Sequence, residues 1–130
     1  MSNLYLGLDS STQSLSAIMI DLNTRQVVYD DSLNYDEALP HYGTQNGVLE
    51  NTDPKIVHSP ALMWVEALDL LFKKIKGEGI ALGDIQAISG SGQQHGSVYL
   101  KAEAADTLAN LDSSKSLVEN LSRIFSRDTS

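Results

Sequence analysis

The sequence predicts an α/β fold whose sheet opens with an antiparallel three-strand meander. Three observations carry this. Between Leu4 and Leu33, three short apolar runs are separated by polar turns too short for a crossover connection. From Ser59 to Lys76 one long stretch repeats its apolar residues with the helical period. A further short apolar run follows that helix, which places a fourth strand parallel to a neighbour in the sheet.

The elements follow in order. Leu4, Leu6 and Leu8 alternate with Tyr5 and Gly7 and lead to an acid, giving a strand that ends at Asp9. The hydroxyl-rich "SSTQS" forms a turn. "LSAIMIDL", from Leu15 to Leu22, is apolar on both sides and short enough for a buried strand. "NTR" turns the chain again, and "QVVYDDSL" is the third strand. Residues 34–60 hold all three prolines and many Asn, Asp and Thr residues, and read as an extended excursion with little regular structure. Ser59 is placed to cap the helix, with Pro60 at its first position. Ala61, Trp64, Val65, Leu68, Leu71, Phe72 and Ile75 share its apolar face. Glu66, Asp69, Lys73 and Lys76 lie opposite, with Asp69 and Lys73 spaced as an i, i+4 ion pair. Gly77 and Gly79 end it. "DIQAIS", from Asp84 to Ser89, is the fourth strand and "SVYLK", from Ser97 to Lys101, a fifth. Residues 102–130 read as a weakly helical tail of two pieces, the second from about Ser114 to Phe125.

Composition narrows the function. At 130 residues the chain is one domain or part of one, and 42% hydrophobic content supports a core. A net charge of −8, with no basic cluster larger than "KKIK", argues against nucleic acid as a partner. No apolar run is long enough to span a bilayer, and the start of the chain lacks a basic segment of the signal-peptide kind. The absence of cysteine excludes thiolate metal sites and fits a reducing cytoplasm. His41, His58 and His95 show no metal-ligand spacing.

Two motifs carry chemistry. In "LGLDSSTQS" a strand ends in Asp9, and Ser10, Ser11, Thr12 and Gln13 turn the chain. Backbone N–H groups and hydroxyls of such a turn can cradle phosphate oxygens, and an acid at the strand end can hold magnesium through water. The same residues also make an ordinary polar hairpin. In "ISGSGQQHGSVYL", Gly90, Gly92 and Gly96 permit close backbone approach, while Gln94 and His95 can hydrogen-bond a polyol. The competing reading is a glycine-rich turn with a solvated histidine. Neither the serine-nucleophile elbow nor a P-loop is present, and Trp64 reads as core.

Together, "LYLGLDSSTQSLSAIMID", "LPHYGTQNGV", "SPALMWVEALD" and "ISGSGQQHGSVYLK" resemble the amino-terminal part of an FGGY-family carbohydrate kinase, in the detail of its xylulokinase branch. The match runs from about residue 4 to residue 101. It implies an incomplete RNase H-like domain of the actin, Hsp70 and sugar-kinase superfamily. It also implies ATP and Mg2+ as cofactors and a ketopentose, D-xylulose foremost, as substrate. Asp9 matches the acid near the magnesium–ATP phosphates, Thr12 and Gln13 match the phosphate-facing turn, and Gln94 and His95 match the pair that contacts sugar hydroxyls. The family often has glycine where Ser11 stands. Its general-base aspartate lies beyond residue 130, so no catalytic residue is assigned within the chain. An isolated chain is then expected to be inactive and prone to self-association. The alternative is a non-catalytic module of the same superfamily that binds a nucleotide or a partner, and the "GQQHG" stretch distinguishes the two, since a nucleotide binder has no use for a sugar-reading pair.

Overall fold

The computed structural model describes every residue from Met1 to Ser130. Strands β1 (Leu4–Ser10), β2 (Ser14–Asp21) and β3 (Gln26–Asn34) form the expected meander. Helix α2 (Ala61–Gly77) then crosses one face of the sheet, and β4 (Ile85–Gly92) runs parallel to β1. The sheet order is β3-β2-β1-β4.

Alternation along the strands sets which side is buried. Leu4 and Leu6 of β1, Leu15, Ala17 and Met19 of β2, and Tyr29 and Leu33 of β3 point towards α2 and form the core with Met63, Ala67, Leu71 and Ile75. The intervening positions, Tyr5, Ile18 and Ile20, lie exposed on the other side. The buried stripe of α2 is thus the i, i+4 row from Met63 to Ile75. Trp64, Leu68 and Phe72, also expected on the apolar face, flank it half-buried, and Val65 turns to a second small cluster around Ala104, Leu121 and Ile124.

Five expectations are corrected. Residues 34–60 are not irregular throughout: Tyr35–Ala38 form a short helix, α1, capped by the Asn34 side chain, and Pro40–Tyr42 form a 3-10 turn. Helix α2 begins at Ala61 with Pro60 as its uncapped flank; Ser59 does not cap it because its hydroxyl donates to the Gly47 carbonyl oxygen at 2.7 Å. Asp69 makes no ion pair with Lys73. Its carboxylate accepts the Leu117 and Val118 N–H groups, both at 3.0 Å, and so caps a different helix, α4 (Leu117–Leu121). The fifth strand does not form. Residues 97–101 leave the sheet, and Leu100 bridges Phe125 instead, with the Lys101 N–H donating to the Ile124 oxygen at 2.7 Å. The fourth strand, finally, continues past Ser89 to Gly92. Within the tail, α3 (Ala104–Ala109) and α4 are the two helical pieces, shorter than their apolar spacing suggests.

Candidate functional site

The parallel pairing of β1 and β4 builds the site. It aligns Asp9 with Ser91 and Ser10 with Gly92, so both strands end side by side at one edge of the sheet. The turn after β1 and the loop after β4 therefore face each other. Between them is a cleft of about 400 Å³ lined by Asp9, Ser11, Thr12, Gly92, Gln93, Gln94 and His95. Residues from two motifs far apart in sequence thus share one open cleft with no hydrophobic side chain in its lining.

Asp9 is exposed there, and its Oδ1 accepts the Ser91 hydroxyl at 2.8 Å. This bond orients the carboxylate and leaves its second oxygen open. In the turn, Ser11 N–H donates to the Ser14 carbonyl at 2.9 Å, and the Ser11 hydroxyl contacts Ser14 at 3.1 Å. The N–H groups of Thr12 and Gln13 have no partner within the chain. Asp9 is the only acid lining the cleft, and no group of three or more His, Asp or Glu residues is assembled anywhere that could hold a metal by itself. That donor set fits an ion kept largely in its water shell, as magnesium is, and not a closed protein cage.

Two of the expected residues point elsewhere. Ser10 turns back into the molecule, its hydroxyl 2.9 Å from the phenol oxygen of the fully buried Tyr35. It lines an adjoining pocket of about 210 Å³ with Trp64 and Val98, which shares Gly92 and Gln93 with the cleft. Trp64 Nε1 is buried without a partner in the chain. Gln13 is exposed outside the cleft, and its carbonyl oxygen accepts the Tyr35 N–H at 3.0 Å. Gly90 and Gly92 sit inside β4, not in a turn. Neither has a positive φ, and a Cβ on Gly90 would meet nothing within 4 Å. The chain's own packing therefore does not require glycine at these positions.

Ser91, Tyr35, Asp36 and Gly47 were not singled out from the sequence. Ser91 looked like one more small residue in a loop, because β4 was expected to stop short of it. Tyr35, Asp36 and Gly47 lay in the excursion that proline and asparagine content had marked as irregular. The "YGTQNGV" stretch was the available signal. Gly47 has φ +80° there, and a Cβ on it would lie 1.7 Å from the Thr12 carbonyl oxygen, against the turn that faces the cleft.

No family model matches the chain. It is 44% identical over 126 residues to xylulose kinase 2 of Arabidopsis thaliana and 44% identical over 121 residues to xylulose kinase of Rattus norvegicus. Those alignments cover 95% and 93% of this chain but only 22% of each relative, so the chain spans about a fifth of the length of the curated proteins it matches. Probable D-xylulose kinase A of Aspergillus terreus is 39% identical over 123 residues. Among solved structures, a xyloylose kinase from Brucella ovis superposes with a TM-score of 0.58 at 24% identity, over 77% of this chain and 18% of that one. A gluconate kinase from Lactobacillus acidophilus gives 0.57 at 21% identity, over 79% and 18%. The chain therefore has the fold of part of each of these two kinases. Over nearly its whole length the chain is thus similar in sequence to part of these xylulose kinases, and in fold to part of two solved sugar kinases.

Proposed function

We propose that the chain supplies one wall of the active site of an ATP-dependent kinase that phosphorylates a ketopentose, D-xylulose foremost. The observation that carries this is the shared cleft: Asp9, Ser11 and Thr12 line it together with Gln94 and His95, and no hydrophobic side chain does. Asp9 would hold the water shell of a magnesium ion. When bound, that ion neutralises charge on the transferring phosphoryl group. The unpartnered Thr12 and Gln13 N–H groups are donors for phosphate oxygens. Gln94 and His95 offer hydrogen bonds to sugar hydroxyls.

The cleft contains no carboxylate besides Asp9, which faces the phosphate side in this reading. The attacking hydroxyl thus has no separate carboxylate among these residues to take its proton, and the 130 residues alone are expected to release no ADP with any sugar.

The test is a chimera in which these residues replace the matching 121-residue stretch of the Rattus norvegicus enzyme. ADP formation that depends on D-xylulose is the expected result. A chimera that melts cooperatively and consumes ATP with no polyol would overturn the kinase reading and favour a nucleotide- or partner-binding module. Preference for glycerol would overturn the assignment of the sugar.

A further inference from the structure

We propose that residues 35–47 act as a brace that fixes the orientation of the turn at Thr12 and Gln13, with Gly47 as the positioning residue and Asp36 as its anchor. This rests on the reading of that turn as phosphate-facing.

Three contacts reach from this segment to the end of β1 and its turn. The Tyr35 N–H donates to the Gln13 carbonyl oxygen at 3.0 Å. The Tyr35 phenol, buried beneath the turn, meets the Ser10 hydroxyl at 2.9 Å. Gly47 lies flat against the Thr12 carbonyl, where a Cβ would come within 1.7 Å of the oxygen and 2.7 Å of its carbon. Real Cβ atoms do not approach so closely, and φ +80° is itself strained for any residue with a side chain. Glycine is therefore required here twice over, by space and by conformation.

Gly47 is held in place by both of its peptide groups. Its N–H donates to Asp36 Oδ1 at 3.1 Å, and its carbonyl accepts the buried Ser59 hydroxyl at 2.7 Å. Asp36 also accepts the Asn46 N–H and the Thr44 hydroxyl, each at 2.6 Å. Asn46 has a left-handed φ of 54° as well, so Asp36 stabilises two consecutive residues in a conformation the chain would otherwise leave. These bonds hold its carboxyl below the usual range, the Thr44 hydroxyl contributing most.

The consequence for the turn is geometric. In a trans peptide the C=O and the following N–H point in opposite directions. With the Thr12 oxygen against Gly47, the Gln13 N–H must point away from the brace. With the Gln13 oxygen bonded to Tyr35, the next peptide plane is fixed too. The turn alone, with one backbone bond from Ser11 to Ser14, would leave both planes free to flip.

The test has two arms. In the 130-residue chain, amide NMR is recorded for Asp36→Ala, Asp36→Asn and Gly47→Ala. The Thr12 and Gln13 resonances are expected to move and the Tyr35 N–H to exchange about tenfold faster or more. The Ser89 to Gly92 amides stay where they are, and Asp36→Asn, which keeps one acceptor oxygen, falls between wild type and Asp36→Ala. If Gly47→Ala does not fold, the Asp36 pair decides alone. In the chimera, Asp36→Ala is expected to lower kcat or raise the KM for ATP about tenfold while the KM for D-xylulose changes by less than about twofold. Unmoved turn amides, or equal losses for both substrates, would overturn the brace. An inactive parent chimera would instead count against the kinase reading, and the amide arm would still decide the brace.

Discussion

At Asp31 and Asp36 hydrogen bonds favour the negative charge and outweigh the opposing effect of burial. Asp31 accepts from Lys74 Nζ at 2.7 Å and from the Ser32 N–H at 2.8 Å, and the Lys74 bond chiefly holds its carboxyl below the usual range. Asp36 is lowered chiefly by Thr44. A depressed folded-state pKa means stability present above the unfolded value of about 3.9 and lost as pH falls through the lower folded value. The acid limb of the stability profile should therefore flatten in Asp31→Asn and Asp36→Asn, read by urea melts between about pH 5 and pH 2. Tyr29 and Tyr42 work at the other end. Burial first, and then Asp31 for one and Glu66 for the other, pushes each phenol up to about 12. Their neutral forms add stability below the unfolded value of about 10, and that contribution disappears as pH rises towards 12. Tyr42→Phe should make the alkaline limb shallower. In the cleft, His95→Ala in the chimera should raise the KM for D-xylulose by roughly five- to tenfold, about 1 kcal/mol for one hydrogen bond to a neutral hydroxyl. It should spare the KM for ATP, and Asp9→Asn should do the reverse. Loss of ATP binding in His95→Ala would mean that the two sides of the cleft have been exchanged.

Among the elements, α2 carries the core and also organises its neighbours. Leu71 is fully enclosed against the sheet, so Leu71→Ala should cost about 2–5 kcal/mol in chemical denaturation. Asp69→Ala should behave differently: the core stays, while α4 keeps only its Ser116 cap, and the Leu117 and Val118 amides exchange faster. The three-strand meander, the parallel fourth strand and the span of α2 were all legible, because alternation and the helical repeat are local and each was long enough to register. The buried row of α2 was not. A wide apolar stripe covers several rows, and only the position of the sheet decides that Met63 and Ala67, not Trp64 and Leu68, face it. The partner of Asp69 is hidden for a related reason: spacing along one helix finds Lys73 but cannot reveal a helix end arriving from residues 117–118. Of the cleft, the acid, the turn and the Gln94–His95 pair were legible as motifs. Ser91 and Gly47 were not, since each matters through a partner, Asp9 or Thr12, that is remote in sequence.

At the scale of the whole molecule, the sheet is covered on one side only. Tyr5, Ile18 and Ile20 face outwards, and β4 is an edge strand whose Ile88 is 55% exposed. From Ile85 to Gly92 that edge has neither charge nor proline, the usual protections against pairing with another chain. Self-association through it is the expected behaviour of the isolated chain, opposed by a net charge of −8 on each copy. Light scattering should therefore show a mass that rises with salt, as screening removes the repulsion, and Ile88→Lys should restore the monomer. The same strand also dictates an order of events in time. The meander joins neighbours through short turns, so its pairing closes small loops. β1 cannot meet β4 until the whole excursion and α2 have been made, since Leu4 pairs with Ile85. Loop-closure entropy delays such a contact. During synthesis the first three strands would emerge and zip together while one edge of β1 waits, unpaired, for its partner. Pulse-labelled hydrogen exchange should find β2 and β3 protected first and β4 last. The cleft between Asp9 and His95, which exists only once that final seam is shut, would be the last part of the molecule to come into being.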